Sequence, residues 1–217
     1  FFKIKENQIF DFEVLWNKVI EGNHRWLNGD DVSGHLTKEE MLFLAKQHRF
    51  VVEYRANYLQ KENPIPREVK VKLVDAGGVP AEWQIVPEAI KDRILLYFHG
   101  GGYIMGSSNF LRLLTVKLGK AIKMRILSVD YRLAPEHPYP EALEDCITAY
   151  NWLLSTGINS KNIIIAGDSA GGYFSLMTLV KLRNEGLPLP AGAICLSPGT
   201  DLANIGESRI KNSSTDP

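Results

Sequence analysis

The feature that most constrains this 217-residue chain is the ten-residue run IIIAGDSAGG, from Ile163 to Gly172. A β-branched run leads without a spacer into Gly-x-Ser-x-Gly, and a helix-like pattern follows. This order is typical of a strand-to-helix turn that leaves a serine hydroxyl exposed above the edge of a sheet. A glycine-capped turn with an ordinary serine is the simpler alternative. The flanking pattern favours Ser169 as a candidate nucleophile.

A second glycine-rich stretch, ILLYFHGGGY, begins at Ile94. Here an apolar strand leads into His-Gly-Gly-Gly, whose bare backbone can direct N–H groups into a cavity. We expect Gly101, Gly102 and Ala170 to donate N–H groups to an oxyanion, and His99 and Gly100 to support the loop. A phosphate-binding loop is disfavoured because neither of its usual glycine patterns occurs. The order of the two motifs disfavours a purely structural glycine turn.

Between these motifs lies the loop SVDYRLAPEHPYP, which begins at Ser128 and which three prolines stiffen. With this third segment the chain resembles the hormone-sensitive-lipase family of α/β-hydrolase carboxylesterases. The matching segments are HGGGYIMGS from His99, VDYRLAPEHPYPEAL from Val129, GDSAGG from Gly167 and LSPGTDL from Leu196. The similarity runs from about residue 69 to the end of the chain. It implies a serine hydrolase that needs no cofactor or metal.

Strand-like and helix-like patterns alternate through most of the chain, which predicts an α/β fold with a mostly parallel sheet and helices on both faces. The predicted strands are 69–74, 81–86, 94–98, 126–130, 162–166 and 191–196. The predicted helices of this part are 110–121, 140–155 and 170–184. The first two strands, joined by a turn at Gly77 and Gly78, are predicted to form an antiparallel start to the sheet.

Residues 1–62 have a different character and are predicted to form an N-terminal helical cap region, followed by an incomplete α/β-hydrolase core at 63–217. The apolar residues of a first helix are Ile9, Phe12, Leu15, Trp16 and Val19. A second helix begins at Thr37, which forms a capping box with Glu40, while Leu36 and Met41 are placed for a hydrophobic staple. The residues expected on its apolar face are Met41, Leu44, Ala45, His48, Val52 and Leu59. The resemblance implies that these helices cover the active site, whereas the pattern alone allows them to pack on the edge of the domain.

The composition excludes several classes of partner. Lys and Arg number 25, as do Asp and Glu, so no net charge attracts nucleic acid or an anionic membrane. No apolar run is long enough to span a bilayer, and the first residues do not form a signal peptide. Cys146 and Cys195 are expected to be buried small hydrophobes rather than a disulfide. We therefore expect a cytoplasmic location.

The position of the histidines is the main departure from the expected chemistry. In α/β-hydrolases the triad runs serine, then acid, then histidine along the chain. The five histidines are His24, His35, His48, His99 and His137, and none follows Ser169. His137 is the best substitute base, although the chain order argues against it, and Asp201 is expected to fix a loop rather than to act as the triad acid.

The simplest explanation is that the triad acid and histidine, with the C-terminal strands that carry them, are not in this chain. Residues 1–217 alone are then expected to be nearly inactive. The last predicted strand would present an unpaired apolar edge, which suggests a C-terminal fragment of the same protein or a second copy as a partner.

The expected reaction is two-step hydrolysis of a small carboxylic ester, with short to medium acyl chains, through an acyl-serine intermediate. Two alternatives remain. One is a non-catalytic small-molecule receptor on the same scaffold, as in the gibberellin receptors that resemble this family, which a residue other than histidine at the triad position would favour. The other is an amidase or peptidase, which rates on matched ester and anilide substrates would distinguish.

Overall fold

The computed structural model describes residues 12–27 and 34–201 and the single residues Glu207 and Lys211. Side chains are described for residues 13–22 of the first range and throughout the second. In chain order the elements are α1 Phe12–Leu27, α2 Lys38–Glu62, β1 Lys70–Asp75, β2 Pro80–Ile85, β3 Ile90–Phe98, α3 Ser108–Ile122, β4 Met124–Val129, α4 Glu141–Ser155, a short 3-10 turn Ser160–Asn162, β5 Ile163–Asp168, α5 Ala170–Asn184 and β6 Gly192–Leu196. Each predicted strand and helix is therefore present, with ends that differ by a few residues.

The described strands form one six-stranded sheet in the order β1-β2-β4-β3-β5-β6. The pairs β4-β3, β3-β5 and β5-β6 are parallel, whereas β1-β2 and β2-β4 are antiparallel. This arrangement confirms both the mostly parallel sheet and its antiparallel start. The C-terminal strands expected beyond β6 lie outside the described residues.

The helices cover both faces of the sheet, as the alternation of side chains along β3 shows. Ile94, Leu96 and Phe98 pack with residues of α4 and α5 in the larger core cluster. Leu95 and Tyr97 point to the opposite face, where Leu111 and Leu118 of α3 cover them. Because alternate residues of a strand face opposite sides, β3 is buried on both sides, as a central parallel strand must be.

The described chain divides into two compact units, one of residues 1–46 with 199–217 and the other of residues 47–198. The second unit contains the sheet and begins inside α2, so the boundary predicted between residues 62 and 63 stays a prediction. The predicted capping box in the first unit is formed: the Thr37 N–H donates to Glu40 Oε2 at 2.8 Å and the Glu40 N–H to Thr37 Oγ1 at 3.2 Å.

The apolar face predicted for α2 is only partly correct. Leu44 and Ala45 are buried, but Met41 and Leu59 are 40% and 37% exposed. Leu36 packs against the cluster of Leu15, Phe43 and Leu44, and its predicted staple with Met41 stays a prediction. Apolar and aromatic residues occur all around this helix, and such a pattern does not define a single buried stripe.

Further expectations concern the two cysteines, the last strand and the length of the helices. Cys146 is buried and Cys195 is half-buried, and both are free thiols. Ile194 and Leu196 of β6 are 42% and 40% exposed, and β6 pairs only with β5 among the described strands. Within the described ranges, no helix has the length and apolar character that crossing a bilayer requires.

Candidate active site

Ser169 occupies the turn between β5 and α5. Its φ of 49° and ψ of −117° lie in a region that residues with a side chain rarely adopt. Its N–H donates to the carbonyl of Leu196 at 2.8 Å, which holds the turn against the end of β6. Ser169 is exposed, and its side chain does not cap α5. The strand-turn-helix geometry predicted for this residue is thus present.

The two glycines of Gly-x-Ser-x-Gly are required by close backbone packing. A Cβ on Gly171 would lie 1.9 Å from the carbonyl oxygen of Phe98. A Cβ on Gly167 would lie 2.4 Å from the carbonyl of Gly171 and 2.6 Å from that of Phe98. The turn therefore packs directly on the end of β3, where the His-Gly-Gly-Gly loop begins.

The geometry of the glycine loop determines where its N–H groups point. The carbonyl of Gly101 accepts hydrogen bonds from the N–H groups of Ile104 and Met105, at 3.2 and 3.1 Å. The carbonyl of Gly100 lies 2.8 Å from His99 Nδ1. In a trans peptide the N–H points away from the carbonyl of the same unit. The N–H groups of Gly101 and Gly102 are therefore directed away from these contacts, and they donate to no acceptor in the part of the chain that the structure describes.

Asp168 connects the loop to the serine turn. Its Oδ1 accepts from the N–H of Gly100 at 2.9 Å and from the hydroxyl of Tyr97 at 2.8 Å. Burial, and then the charge of Asp168, raise the pKa of the Tyr97 hydroxyl, so it remains a donor. Because Asp168 directly precedes Ser169, this carboxylate links the serine turn to the glycine loop. Sequence analysis missed this role, because an acidic side chain at the start of a helix is already explained by its favourable interaction with the helix dipole.

His99 packs against the glycine loop, with its ring close to Gly106 and to the Gly100 carbonyl. It is buried, and its ring stacks on that of Tyr131 with centroids 4.2 Å apart. Since a carbonyl is its partner, Nδ1 carries the proton. The hydroxyl of Tyr131 in turn donates to the carbonyl of His99 at 2.5 Å. Burial lowers the pKa of His99, although the nearby carboxylates of Asp130, Asp168 and Glu53 act in the opposite direction.

A pH dependence of stability follows from the burial of His99. The unfolded imidazole has a pKa near 6.5, so it takes up a proton before the folded one as the pH falls. Between about pH 7 and pH 5 the free energy of unfolding should therefore decrease, by at most about 1.4 kcal/mol per pH unit from this group. His99→Asn keeps a donor near the Gly100 carbonyl and removes the titration. Urea unfolding of both proteins at several pH values measures the difference, and equal slopes would show that His99 does not contribute.

The other histidines and Asp201 each have surroundings of their own. His137, the predicted substitute base, has Nδ1 2.8 Å from Glu141 Oε2 at the start of α4. His35 Nε2 lies 2.8 Å from the carbonyl of Lys18, and His48 is half-buried on α2. The side chain of His24 lies outside the described residues. Asp201 is half-buried.

Four aromatic rings form a cluster beside the glycine loop, and sequence analysis did not identify it. The ring of Tyr103 meets those of Tyr173 and Phe174 edge-on, with centroids 5.8 and 5.5 Å apart. Phe174 also contacts Tyr131, which stacks on His99. The cluster gives the loop an apolar support, of the kind that lines small-molecule sites.

Among the described residues, no three His, Cys, Asp or Glu side chains are placed to share a metal ion.

Comparison with known proteins identifies the family. A family model described as an alpha/beta hydrolase fold matches residues 95–217. A crystal structure of an esterase from the bacterial hormone-sensitive lipase family superposes with a TM-score of 0.74 at 34% identity, over 96% of this chain and 65% of that one. The chain belongs to the hormone-sensitive-lipase family of α/β hydrolases.

Curated relatives of the chain are named as an acetyl-hydrolase and an esterase. The acetyl-hydrolase of Streptomyces hygroscopicus is 43% identical over 136 residues, which are 63% of this chain and 45% of that protein. An esterase of Acinetobacter venetianus is 38% identical over 140 residues, which are 64% of this chain and 46% of that protein. The chain thus spans a little under half the length of these two relatives.

Proposed function

We propose that the protein containing this chain hydrolyses carboxylic esters through an acyl intermediate on Ser169. One observation carries the proposal: Asp168 joins the exposed Ser169 to a loop whose Gly101 and Gly102 N–H groups donate to no acceptor among the described residues. The first N–H of α5, that of Ala170, adds a third donor because helix N-termini lack internal acceptors. The names of the relatives support the same reaction class.

In the proposed mechanism, Ser169 Oγ attacks the ester carbonyl carbon while its proton passes to a base. The carbonyl oxygen becomes an oxyanion and accepts from the N–H groups of Gly101, Gly102 and Ala170. Collapse of this intermediate breaks the bond to the alcohol, which leaves with a proton. Water then attacks the acyl-serine in the same way and releases the acid. His99 and Gly100 support the loop and do not touch the reacting atoms.

The base is proposed to be a histidine in the position usual for the family, and none of the five histidines of this chain has that position. Residues 1–217 alone are therefore proposed to turn over esters slowly. A partner that completes the site, either a further segment of the same protein or a second copy, would pair with the edge of β6 that has no neighbour among the described strands. Short to medium acyl chains are proposed because one of these relatives is named an acetyl-hydrolase.

The reaction class is tested with matched substrates. We expect the whole protein to hydrolyse p-nitrophenyl acetate and butyrate faster than p-nitrophenyl decanoate. Butyryl p-nitroanilide, which has the same acyl group on an amide, should react at least about 100-fold more slowly. Faster cleavage of the anilide would indicate an amidase. Binding of esters without turnover would indicate a receptor on the same scaffold.

A further inference from the structure

Arg49 on α2 connects two loops that are distant in sequence. Its Nε donates to the carbonyl of Ile104 at 2.6 Å, and its Nη2 to the carbonyl of Ala134 at 2.7 Å. Its Nη1 and Nη2 donate to the two carboxylate oxygens of Glu136 at 2.9 and 2.8 Å. Four of the five guanidinium N–H bonds are thus used. Ile104 belongs to the glycine loop, whereas Ala134 and Glu136 belong to the proline-stiffened loop.

The contact with Ile104 bears directly on the candidate oxyanion donors. Residues 101–105 form a tight turn, because the N–H groups of Ile104 and Met105 both donate to the carbonyl of Gly101. The N–H of Gly102 shares a peptide plane with that carbonyl, so its direction depends on how the turn is held. Arg49 holds the far end of this turn, and the N–H of Ala134 holds the carbonyl of Tyr103 at 3.0 Å.

The chemistry of this contact requires arginine. Hydrogen bonds from a guanidinium to a carboxylate are charge-assisted, and the planar fork of donors fixes the direction of each. The side chains of Arg49 and Glu136 are 25% and 29% exposed, so water screens the pair only in part. A lysine could keep the charge opposite Glu136, but one ammonium cannot hold both carbonyls and the carboxylate in the same plane.

Contacts further along α2 continue this attachment. Glu53 Oε2 accepts from Asn109 Nδ2 at 2.7 Å, and Glu53 also accepts from the hydroxyl of Ser107. Gln60 Nε2 donates to the carbonyl of Asn109 at 3.0 Å. The segment from Ile104 to Asn109 is thus bonded along its length to one helix. Arg49 makes the bond closest to the candidate oxyanion donors.

We propose that Arg49 is a positioning residue for the oxyanion-binding turn. By holding the Ile104 carbonyl against the proline-stiffened loop, it keeps the N–H groups of Gly101 and Gly102 aimed at the developing negative charge. This inference rests on the proposed ester hydrolysis at Ser169. It adds a determinant of catalytic rate that lies on α2, outside the glycine loop and the serine turn.

The test compares Arg49→Met and Arg49→Lys with Arg55→Met in the whole protein, because Arg55 is an exposed arginine of the same helix. With p-nitrophenyl acetate, Arg49→Met should lower kcat by about 10- to 100-fold and leave KM within about threefold. Inhibition by a trifluoromethyl ketone, which forms a tetrahedral adduct, should weaken by a similar factor. Arg49→Lys should give a smaller loss in the same direction, and Arg55→Met should match the wild type.

The outcomes separate this inference from the proposed function. If the wild type is active, Ser169→Ala is inactive and both Arg49 variants keep the wild-type kcat, the role of Arg49 is wrong and the function stands. If Arg49→Lys keeps the wild-type kcat and Arg49→Met does not, a positive charge at this position is sufficient. That result would also refute the proposal, which requires the planar set of guanidinium donors. If the wild type has no activity, the proposed function fails, and hydrogen exchange then decides the role of Arg49. Faster exchange at the amides of Ile104 and Met105 in Arg49→Lys than in Arg55→Met supports the positioning role, and equal exchange refutes it. This measurement does not depend on whether Arg49→Met folds.

Discussion

Replacement of Ser169 by alanine in the whole protein is expected to lower ester hydrolysis by about 10⁵- to 10⁶-fold, the loss measured when a nucleophile of this type is removed. Labelling by a fluorophosphonate should disappear with it, because the probe forms its bond to Oγ. The fold should persist, because the serine turn is held by the N–H of Ser169 and by the close packing of its glycines, not by the hydroxyl.

Ser155 offers a matched control, because it is an exposed serine whose hydroxyl donates only to the Trp152 carbonyl on α4. Ser155→Ala should keep both hydrolysis and labelling. Mass spectrometry of the labelled peptide identifies the modified residue directly. Labelling of a different serine in Ser169→Ala, with activity retained, would overturn the assignment of the nucleophile.

Gly101→Ala is expected to have the second largest effect. Gly101 has a φ of 135°, which an alanine adopts only under strain, and an added Cβ would lie 2.0 Å from the carbonyl oxygen of Met105. The turn of residues 101–105 must therefore open, which displaces the N–H groups of Gly101 and Gly102. We expect kcat to fall about 10²- to 10³-fold with a much smaller change in KM, because the oxyanion forms only in the transition state.

Gly78→Ala is a control that distinguishes displacement of the glycine loop from the strain that a positive φ imposes on any alanine. Gly78 has a φ of 98° in the turn between β1 and β2, and an added Cβ would meet nothing within 4 Å. This variant should lose about 1–3 kcal/mol of unfolding free energy and keep the wild-type kcat. A change in KM alone for Gly101→Ala, or an equal kcat loss in both variants, would show that the glycine loop does not bind the oxyanion.

The element pattern could be predicted from the sequence because its apolar runs are separated by clear turn signals. The ends were less accurate where such signals are missing. β4 begins at Met124, two residues before the prediction, because Lys123 ends α3 in a left-handed conformation where glycine is usual. β3 begins at Ile90 and not Ile94, since its charged first residues form an irregular, exposed extension with a register shift.

The local parts of the candidate site were predictable for a similar reason. Gly-x-Ser-x-Gly and His-Gly-Gly-Gly each carry their geometry within a few residues. The contacts that join them do not: the partners of Asp168 lie 71 and 68 residues away, and Arg49 binds residues 55 to 87 positions along the chain. Nothing near Arg49 in the sequence distinguishes it from Arg55, because its role arises only when the two loops meet in the folded chain.

The backbone contact between Gly171 and the end of β3 has an evolutionary consequence. With main-chain atoms 1.9 Å from where a Cβ would be, no rearrangement of side chains can make room for one. The proposed reaction centre is therefore closed to gradual variation, because any replacement of this glycine separates the serine turn from the loop that faces it. Under the proposed function, new substrate preferences in a lineage built on this scaffold arise from the side chains around the junction, while the junction itself is inherited unchanged.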